Sequence, residues 1–181
     1  MSLIYQPAED SSLLSEVLEN EIPKLLKKNP NLKFLEIGSG SGIQLETASK
    51  NGIKKENIFS CDINSEAVVH CKSLGFNCVK SDLFSKVKGK FDLIIFNPPY
   101  LPEDKREDEE SKIETTGGKS GSEIINNFLK QASFHLTPDG KILLLTSSLT
   151  KKIIWKNYKK KLLKKQKLFF EELYVWGITK N

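Results

Sequence analysis

The tetrapeptide Asn97-Pro98-Pro99-Tyr100 follows directly on an apolar run of residues, Phe91–Phe96. Two consecutive prolines cannot continue a strand, because each lacks a backbone N–H and has a fixed φ. The tetrapeptide is therefore predicted to form a rigid turn at the end of a buried strand, where ligands bind in open α/β sheets. A side-chain amide, a proline carbonyl and an aromatic ring at that position can hold a planar –NH2 group and orient it for reaction.

A glycine-rich segment, Gly38-Ser39-Gly40-Ser41-Gly42, follows a second short apolar run at Phe34–Ile37. Glycines after a strand permit positive φ angles and let the backbone approach a ligand closely. The spacing is neither the G-x-G-x-x-G of dinucleotide-binding proteins nor that of a P-loop with its lysine. Glu36 lies just before the glycines, where a carboxylate favours a cationic ligand and repels a pyrophosphate. The segment therefore indicates a site for S-adenosylmethionine, which carries a sulfonium and an ammonium group.

Carboxylates also follow the next two predicted strands. Asp62 ends the second strand, 20 residues after Gly42, where an acid can accept hydrogen bonds from ribose hydroxyls. Ser81-Asp82-Leu83 follows the third strand, where the carboxylate can accept a hydrogen bond from an adenine amino group. Any one of these acids alone could be a strand-end cap or an exposed loop charge. Together with the glycine turn they predict a cofactor site.

The elements that must position these residues alternate between helical and extended patterns. Helices are predicted over Glu9–Lys28, with a kink or a break at Pro23, and over Ile43–Lys50, Asn64–Gly75 and Ser122–Leu136. Strands are predicted over Phe34–Ile37, Asn57–Asp62, Phe76–Lys80, Phe91–Phe96 and, after a turn at Pro138-Asp139-Gly140, Lys141–Thr146.

This alternation predicts a doubly wound α/β fold, a mostly parallel sheet of six or seven strands with helices on both faces. One or two closing strands within Lys167–Thr179, separated by Glu171-Glu172, predict an antiparallel hairpin at one edge, as in the Rossmann-like class I methyltransferases. We expect a single domain over residues 1–181, with a helical cap at 1–30, a cofactor half at 33–97 and a substrate half at 98–181.

Length and composition exclude several classes. The chain of 181 residues is long enough for one domain to bury a core. No apolar run approaches the ~18 residues of a membrane span, and the first residues do not have the pattern of a signal peptide. Cys61, Cys71 and Cys78 are odd in number and lack the spacing of a zinc site, so we expect no metal and predict reduced, buried thiols in a cytoplasmic protein.

The net charge of +5 is unevenly distributed. Lys151–Lys167 contains nine lysines and no acid. Within it, Ile154, Tyr158 and Leu162 recur at helical spacing and predict a solvated amphipathic helix, with contact to a nucleic acid or a ribonucleoprotein as the alternative. Glu103–Glu110 contains six acids, which would either recognise a basic partner surface or form a mobile lid.

Four segments of the chain resemble the motifs of one family. They are Tyr5-Gln6-Pro7-Ala8-Glu9-Asp10-Ser11-Ser12-Leu13-Leu14, Leu35–Gly42, Phe96–Pro102 and Gly117-Gly118-Lys119-Ser120-Gly121-Ser122-Glu123. Each is similar to a motif of the HemK-like release-factor glutamine methyltransferases, in their short archaeal and eukaryotic branch. The resemblance implies an S-adenosylmethionine-dependent enzyme that N5-methylates the glutamine of the Gly-Gly-Gln loop in a class I peptide-release factor.

The resemblance also implies roles for individual residues. Asn97 and the Pro98 carbonyl would hold the substrate amide, in a pocket to which Pro99 and Tyr100 contribute. The residues implied to line the cofactor are Ser11 or Ser12, Glu36, Gly38, Ser39, Gly40, Asp62, Ile63, Asp82, Leu83 and Asn97.

Two further expectations concern partners and domains. This branch commonly uses a small zinc-binding activator protein, and the strand Phe76–Lys80, through Phe76, Cys78 and Val79, would be its contact. Bacterial relatives carry a helical substrate-binding domain before the glycine motif. Only 35 residues precede Glu36 here, so that domain is expected to be absent.

Other functions remain open on the sequence alone. The tetrapeptide Asn97-Pro98-Pro99-Tyr100 could equally hold the amino group of a base in an adenine-N6 or guanine-N2 methyltransferase, although the residues that follow Tyr100 are acidic rather than basic. Methylation of a protein lysine is not favoured by the chemistry of the tetrapeptide. A catalytically idle binding module would keep the fold without the reaction, and the intact Asn97 and Asp62 argue against it; titration with S-adenosylmethionine would decide.

Overall fold

The computed structural model describes residue 4, residues 6–103 and residues 116–181, and in this part seven strands form one sheet. The strands are β1 (Phe34–Ile37), β2 (Ile58–Asp62), β3 (Asn77–Lys80), β4 (Phe91–Phe96), β5 (Leu136–Ser147), β6 (Tyr158–Lys167) and β7 (Glu172–Lys180). The α-helices are α1 (Glu9–Lys28), α2 (Ile43–Lys50), α3 (Ser65–Ser73) and α4 (Glu123–His135), with a short 3-10 helix at Lys55–Asn57.

The strand order is β3-β2-β1-β4-β5-β7-β6. The first five of these strands are parallel, and β7 is antiparallel to both of its neighbours. The predicted fold class is confirmed, with seven strands and the antiparallel hairpin at one edge. Because parallel strands end at the same edge of a sheet, the segments that follow β1, β2, β3, β4 and β5 meet there. We call this edge the C-terminal rim.

Strand β4 shows why both faces of the sheet are covered. Leu93 and Ile95 belong to an apolar cluster with α1, α2 and α3, whereas Ile94 and Phe96 belong to a cluster with α4. Successive side chains of a strand point to opposite faces, so a continuous apolar run serves two layers. Phe96 packs on Phe128 of α4 with ring centroids 4.8 Å apart.

Helix α1 is continuous over 20 residues although Pro23 lies within it, so of the two expected alternatives, a kink or a break, the break does not occur. Leu14, Leu18 and Ile22 are fully buried on its inner face. This packing holds the helix together across the hydrogen bond that proline cannot donate.

The predicted helix over Lys151–Lys167 is wrong. Tyr158–Lys167 forms the edge strand β6, which pairs with β7. Tyr158 is buried and donates a hydrogen bond of 2.7 Å to a carbonyl of α4, whereas Ile154 is 58% and Leu162 is 39% exposed. Pairing with β7 supplies the backbone hydrogen bonds that a helix would have made internally, and lysines keep an edge strand from pairing with other chains.

The predicted turn Pro138-Asp139-Gly140 lies within β5 rather than before it. The register against β4 steps from Phe91 opposite Leu136 to Leu93 opposite Lys141. The additional residues of β5 are therefore accommodated as an irregularity inside the strand.

Two segments named in the sequence analysis lie outside the described residues. They are Tyr5, and residues 104–115 with most of the acidic segment Glu103–Glu110. In the described part, no helix combines the length and the apolar character that crossing a membrane requires. The three cysteines are free and buried, as predicted.

Candidate active site

The segments that follow β1, β2 and β3 are hydrogen-bonded side by side along the C-terminal rim. The Gly38 N–H donates to the Cys61 carbonyl at 2.8 Å, and the Ser81 N–H donates to the Asp62 carbonyl at 2.9 Å. These bonds bring together the predicted cofactor residues of three separate strand ends.

The glycine turn after β1 is left-handed at three positions, with φ of 70° at Gly38, 46° at Gly40 and 79° at Gly42. Among the described residues, no heavy atom beyond its chain neighbours lies within 4 Å of the point where a Gly40 side chain would begin. A Gly38 side chain would meet the Phe96 ring at 3.6 Å. At Gly40 the turn thus presents bare backbone to open space, and this arrangement lets a ligand approach closely.

Glu36 is the carboxylate next to this turn, and it is only 3% exposed. Burial, reinforced by the neighbouring Asp62 carboxylate, raises the pKa of Glu36 well above its usual range. Its Oε2 has no hydrogen-bond partner among the described residues. A buried carboxylate without a partner is unfavourable, and a bound cation would relieve it.

Asp62 holds the glycine turn from the neighbouring strand. Its Oδ2 accepts the Gly40 N–H at 2.9 Å and its Oδ1 accepts the Asn64 N–H at 2.8 Å. Each carboxylate oxygen can accept more than one hydrogen bond. Asp62 can therefore fix the turn and still receive a ligand hydroxyl.

The residues after β2 and β3 form a more exposed part of the rim. Ile63 is 62% exposed, and Asp82 is also exposed. Leu83 has a φ of 45°, which is rare for a residue with a branched side chain. Its carbonyl accepts hydrogen bonds from the Ser81 hydroxyl at 2.9 Å and the Cys61 thiol at 3.3 Å, which fix this unusual backbone.

Asn97 is oriented by a residue to which the sequence analysis assigned no role, Asp10 in the first turn of α1. The Asn97 Nδ2 donates to Asp10 Oδ2 at 2.9 Å, and Asp10 is only 5% exposed. Because a carboxylate accepts and an amide NH2 donates, this contact fixes which way the amide points. The Asn97 Oδ1 is buried and has no hydrogen-bond partner among the described residues. In the sequence, Asp10 is only an acid near the start of a helix, and such acids are common at any helix N-terminus, so its contact with Asn97 could not be predicted.

The rest of the tetrapeptide is fixed through its backbone. Pro98 is buried, and Pro99 and Tyr100 are half-buried. The Tyr100 ring packs partly against both apolar clusters, and its carbonyl accepts the Thr150 hydroxyl at 2.8 Å. Thr150 thus links the tetrapeptide to the turn after β5.

The segment Gly117–Glu123 packs directly on the tetrapeptide. A Cβ atom on Gly117 would lie 2.6 Å from the Pro99 carbonyl oxygen, and one on Gly121 would overlap the Tyr100 carbonyl oxygen. Gly117 and Gly121 are therefore required by close backbone approach. The segment that was identified only by its resemblance to a family motif thus packs against the backbone of the tetrapeptide.

The start of α1 lies across the rim through Ser11 as well as Asp10. Ser11 is buried, and its carbonyl accepts the Gln44 side-chain amide of α2 at 2.8 Å. Ser12 is exposed, and its hydroxyl donates at 3.2 Å to the Ala8 carbonyl at the start of the same helix.

The strand expected to contact an activator is at the open edge of the sheet, but two of its three predicted contact residues are not on the surface. Phe76 is 5% exposed and Cys78 is fully buried, so this part of the prediction is wrong. Alternation along the strand turns Cys78 inward and leaves Val79 38% exposed. Ile63 and Val69, 62% and 67% exposed, are further large apolar residues on the surface of this half of the fold.

Two buried side-chain oxygens lack a hydrogen-bond partner within the described part of the chain, Glu36 Oε2 and Asn97 Oδ1. Ile37 of β1 pairs with Phe96 of β4, so the two residues stand at adjacent strand ends. One oxygen belongs to an acid that suits a cation, and the other suits an N–H donor. The residues present therefore fit a sulfonium cofactor with an amino or amide group beside it.

Comparison with known proteins places these observations in a family. Residues 10–167 match the family model of the methyltransferase small domain. A protein of Methanocaldococcus jannaschii, whose name assigns it provisionally to the protein N5-glutamine methyltransferases, is 39% identical over 95% of this chain and 89% of its own length. The eRF1 methyltransferase catalytic subunit mtq2 of Schizosaccharomyces pombe is 32% identical over 76% of this chain and 69% of its own length.

Among solved structures, a chain of the E. cuniculi Mtq2–Trm112 complex matches with a TM-score of 0.71 over 99% of this chain and 100% of that one. That complex is described as responsible for the methylation of the translation termination factor eRF1. The identity is 24%, so this likeness concerns the fold.

Proposed function

The chain belongs to the methyltransferase small-domain family, in the branch of the N5-glutamine methyltransferases, and from this premise we propose that it methylates the side-chain amide of a glutamine in a peptide-release factor. The methyl donor is S-adenosylmethionine. The acceptor that we propose is the glutamine of the Gly-Gly-Gln loop of a class I release factor. The name of the S. pombe relative supports this choice of substrate.

The observation that carries the proposal is that the two polar atoms of the Asn97 amide are in different situations. Its nitrogen is committed to Asp10 at 2.9 Å, and its buried oxygen has no partner among the described residues. A substrate amide has two N–H groups to donate. Asn97 Oδ1 and the Pro98 carbonyl would accept one each.

S-adenosylmethionine supplies an electrophilic methyl carbon with a neutral thioether as leaving group. The residues of the chain therefore have little developing charge to stabilise, and alignment of the reacting atoms at ~3–3.5 Å contributes most of the acceleration. Acceptance of both N–H groups by Asn97 and Pro98 favours a pyramidal nitrogen whose lone pair points at the methyl carbon. The N–C bond would form as the C–S bond of the cofactor breaks, and the extra proton of the product would pass to water.

Glu36 and the glycine turn would hold the cofactor. The ionised Glu36 would face a cationic group, while the open backbone at Gly40 allows close contact. Asp62 and Asp82 would receive the ribose hydroxyls and the adenine amino group, with Leu83 packing beside the ring. Ser11 would lie nearer the site than the exposed Ser12.

We further propose that a small activator protein docks on the open edge of β3. The solved Mtq2 is in complex with Trm112, and this edge carries unpaired backbone groups beside the exposed Val79. Val79→Lys should weaken co-purification with such a partner, whereas Leu162→Lys, at the equally exposed Leu162 on the opposite edge strand β6, should not. Equal retention by both variants would argue against this surface.

A cytoplasmic location belongs to the same proposal, because a release factor acts during translation. Contact with a ribonucleoprotein through Lys151–Lys167 stays a prediction.

The test is incubation with methyl-labelled cofactor and equal amounts of release factor, release factor with the loop glutamine changed to asparagine, bare RNA and bare DNA. We expect label in the intact release factor alone, in a glutamine by mass spectrometry. Label in nucleic acid or in lysine would overturn the proposal. Asn97→Ala enzyme gives the background.

A further inference from the structure

The hairpin between β6 and β7 ends in two exposed aromatic residues. Phe169 is 92% exposed and Phe170 is 84% exposed, and their ring centroids are 4.7 Å apart with the planes at 82°. The Leu168 N–H donates to the Glu171 carbonyl at 2.8 Å. The two phenylalanines are therefore the central residues of a two-residue loop.

Phenylalanine is an unexpected residue at this position. Hairpin loops are usually formed by glycine and small polar residues, whereas here both central residues are large and apolar, and neither has a positive φ. Neither Phe169 nor Phe170 belongs to the apolar clusters of the described residues. The pair thus adds nothing to the core and exposes a large apolar area, a feature that is typical of an interaction site.

The loop lies at the C-terminal rim. Ser147, the last residue of β5, pairs with Leu173 near the start of β7, so the loop before β7 is at the edge where β5 ends. The Ser148 N–H donates to the Glu172 carbonyl at 2.8 Å. With neighbouring strands ~4.8 Å apart, β7 lies roughly 10 Å from β4, the strand that carries Asn97.

A chain of hydrogen bonds joins the loop to the tetrapeptide. The Ser147 hydroxyl donates to the Glu171 carboxylate, directly after the aromatic pair. The Thr150 N–H donates to the Ser147 carbonyl at 3.1 Å, and the Thr150 hydroxyl donates to the Tyr100 carbonyl at 2.8 Å. The aromatic loop is therefore fixed relative to the candidate active site.

We propose that Phe169 and Phe170 are a docking point for the protein substrate, on the surface that surrounds the acceptor glutamine. This inference rests on the proposed function. A protein interface of standard size covers about 800 Å² on each partner, a patch roughly 30 Å across, which reaches from Asn97 to the aromatic loop. Exposed aromatic residues are frequent anchors of such interfaces.

The charges around the loop indicate the chemistry of the docked surface. Lys151, Lys152, Lys165 and Lys167 are exposed on the neighbouring segments. They suit a substrate surface with an apolar centre and acidic groups at its periphery.

A protein is a better occupant than a nucleic acid. The two rings pack edge against face, so they do not offer two parallel faces to stacked bases.

The test compares the full chain with the double variant Phe169→Ser/Phe170→Ser. Neither phenylalanine has a positive φ, so serine can adopt the same backbone while both rings are removed. Phe169→Asn/Phe170→Asn is a second variant with the same loss. The matched control is Phe134→Ser, since Phe134 is 75% exposed but lies near the end of α4, just before β5 begins at the opposite edge of the sheet.

We expect both double variants to raise KM for intact release factor roughly tenfold or more, because interface aromatics are often the dominant contacts. The kcat, the Kd for S-adenosylmethionine and the rate of Phe134→Ser should stay within about twofold. An unchanged KM in a variant that melts like the parent would overturn the docking inference while leaving the proposed function intact. It would also be overturned if the variants lost only RNA binding or only self-association. Absence of methylation by the parent enzyme would overturn both.

Discussion

Asn97 uses the two ends of its amide for different tasks. The nitrogen is held by a carboxylate from a helix 87 residues earlier in the chain, and the buried oxygen has no partner among the described residues. An amide that could rotate freely would present either end. In the proposed reaction, where this oxygen accepts a substrate N–H, the orientation of the substrate nitrogen would depend on Asp10 as much as on Asn97.

Asn97→Ala should lower kcat at least about a hundredfold, since the alignment of the substrate nitrogen is lost. The Kd for S-adenosylmethionine should change less than about threefold, because the cofactor contacts come mainly from other strands. Initial rates and isothermal titration calorimetry measure the two quantities. Loss of both together, with a lower melting temperature, would mean that Asn97 is structural.

Asp10→Ala should lower kcat by roughly tenfold or more and leave the cofactor Kd nearly unchanged, because it removes the acceptor that orients Asn97. Asp10→Asn keeps an oxygen that can accept the same hydrogen bond and should restore much of the rate. Steady-state kinetics of the two variants check this. If asparagine were no better than alanine, the role of Asp10 as an orienting acceptor would be refuted.

Glu36 predicts a pH dependence. Its pKa is raised in the folded chain. Without a ligand, the free energy of unfolding therefore falls as pH rises from the ordinary pKa of 4.5 to the raised pKa of the folded state. A bound cation favours the ionised form, so cofactor binding should release a proton, and affinity should rise with pH through this range. Calorimetry in buffers of different ionisation enthalpy measures the proton.

Glu36→Gln is the matched control for this effect. It cannot titrate, so it should bind the cofactor more weakly, without proton release and with a flatter pH dependence. It should also stabilise the free protein at high pH, where the parent would carry a buried charge. Equal proton release by parent and variant would show that another group titrates.

At the level of the elements, the tetrapeptide is positioned by the packing of one loop on another. Gly121 lies directly against the Tyr100 carbonyl, and Thr150 donates to the same carbonyl from the turn after β5. The conformation of the tetrapeptide Asn97–Tyr100 therefore depends on contacts with two further segments, at Gly121 and at Thr150, that are distant in sequence.

Gly121→Ala should displace the tetrapeptide and lower kcat about tenfold or more. Gly89→Ala is the control, because both residues have a positive φ, 77° and 94°, but the Gly89 side chain would meet no described atom within 4 Å. Both variants should lose about 1 kcal/mol of stability from backbone strain, but Gly121→Ala should lose more, because its Cβ overlaps the Tyr100 carbonyl, and only it should lose activity. Thermal melts with kinetics separate the two effects. Equal activity would show that the loop adjusts.

At the scale of the whole molecule, the site joins the ends of β1, β2, β3 and β4 to the start of α1. A ligand there contacts elements from most of the first hundred residues and binds only the folded state. Its binding should therefore stabilise the entire fold.

S-adenosylmethionine at a hundredfold excess over its Kd should add about 2.7 kcal/mol of stability, which is a rise of roughly 5–10 °C in melting temperature for a chain of this size. Scanning fluorimetry measures the shift. The demethylated product, which has no sulfonium charge, should give a smaller shift at the same concentration. No shift with either compound would contradict the proposed cofactor site.

The sequence by itself determined the parallel strands, their order along the chain and the residues at their ends. β1, β4 and the second half of β5 are short apolar runs, and turn or polar residues follow each of them, so the signals are local. Glu36, the glycine turn, Asp62 and Asn97 could be named because topology requires parallel strand ends to meet at one edge.

Only the tertiary structure decided the form of the lysine-rich segment, the role of Asp10 and the position of Phe169 and Phe170. The partners that settle them are distant in sequence: β7 pairs with β6, Asn97 pairs with Asp10, and β5 holds the aromatic loop at the rim. The spacing of residues along the sequence cannot predict such pairings, because the free energy that favours them comes from contacts that exist only after the chain has folded.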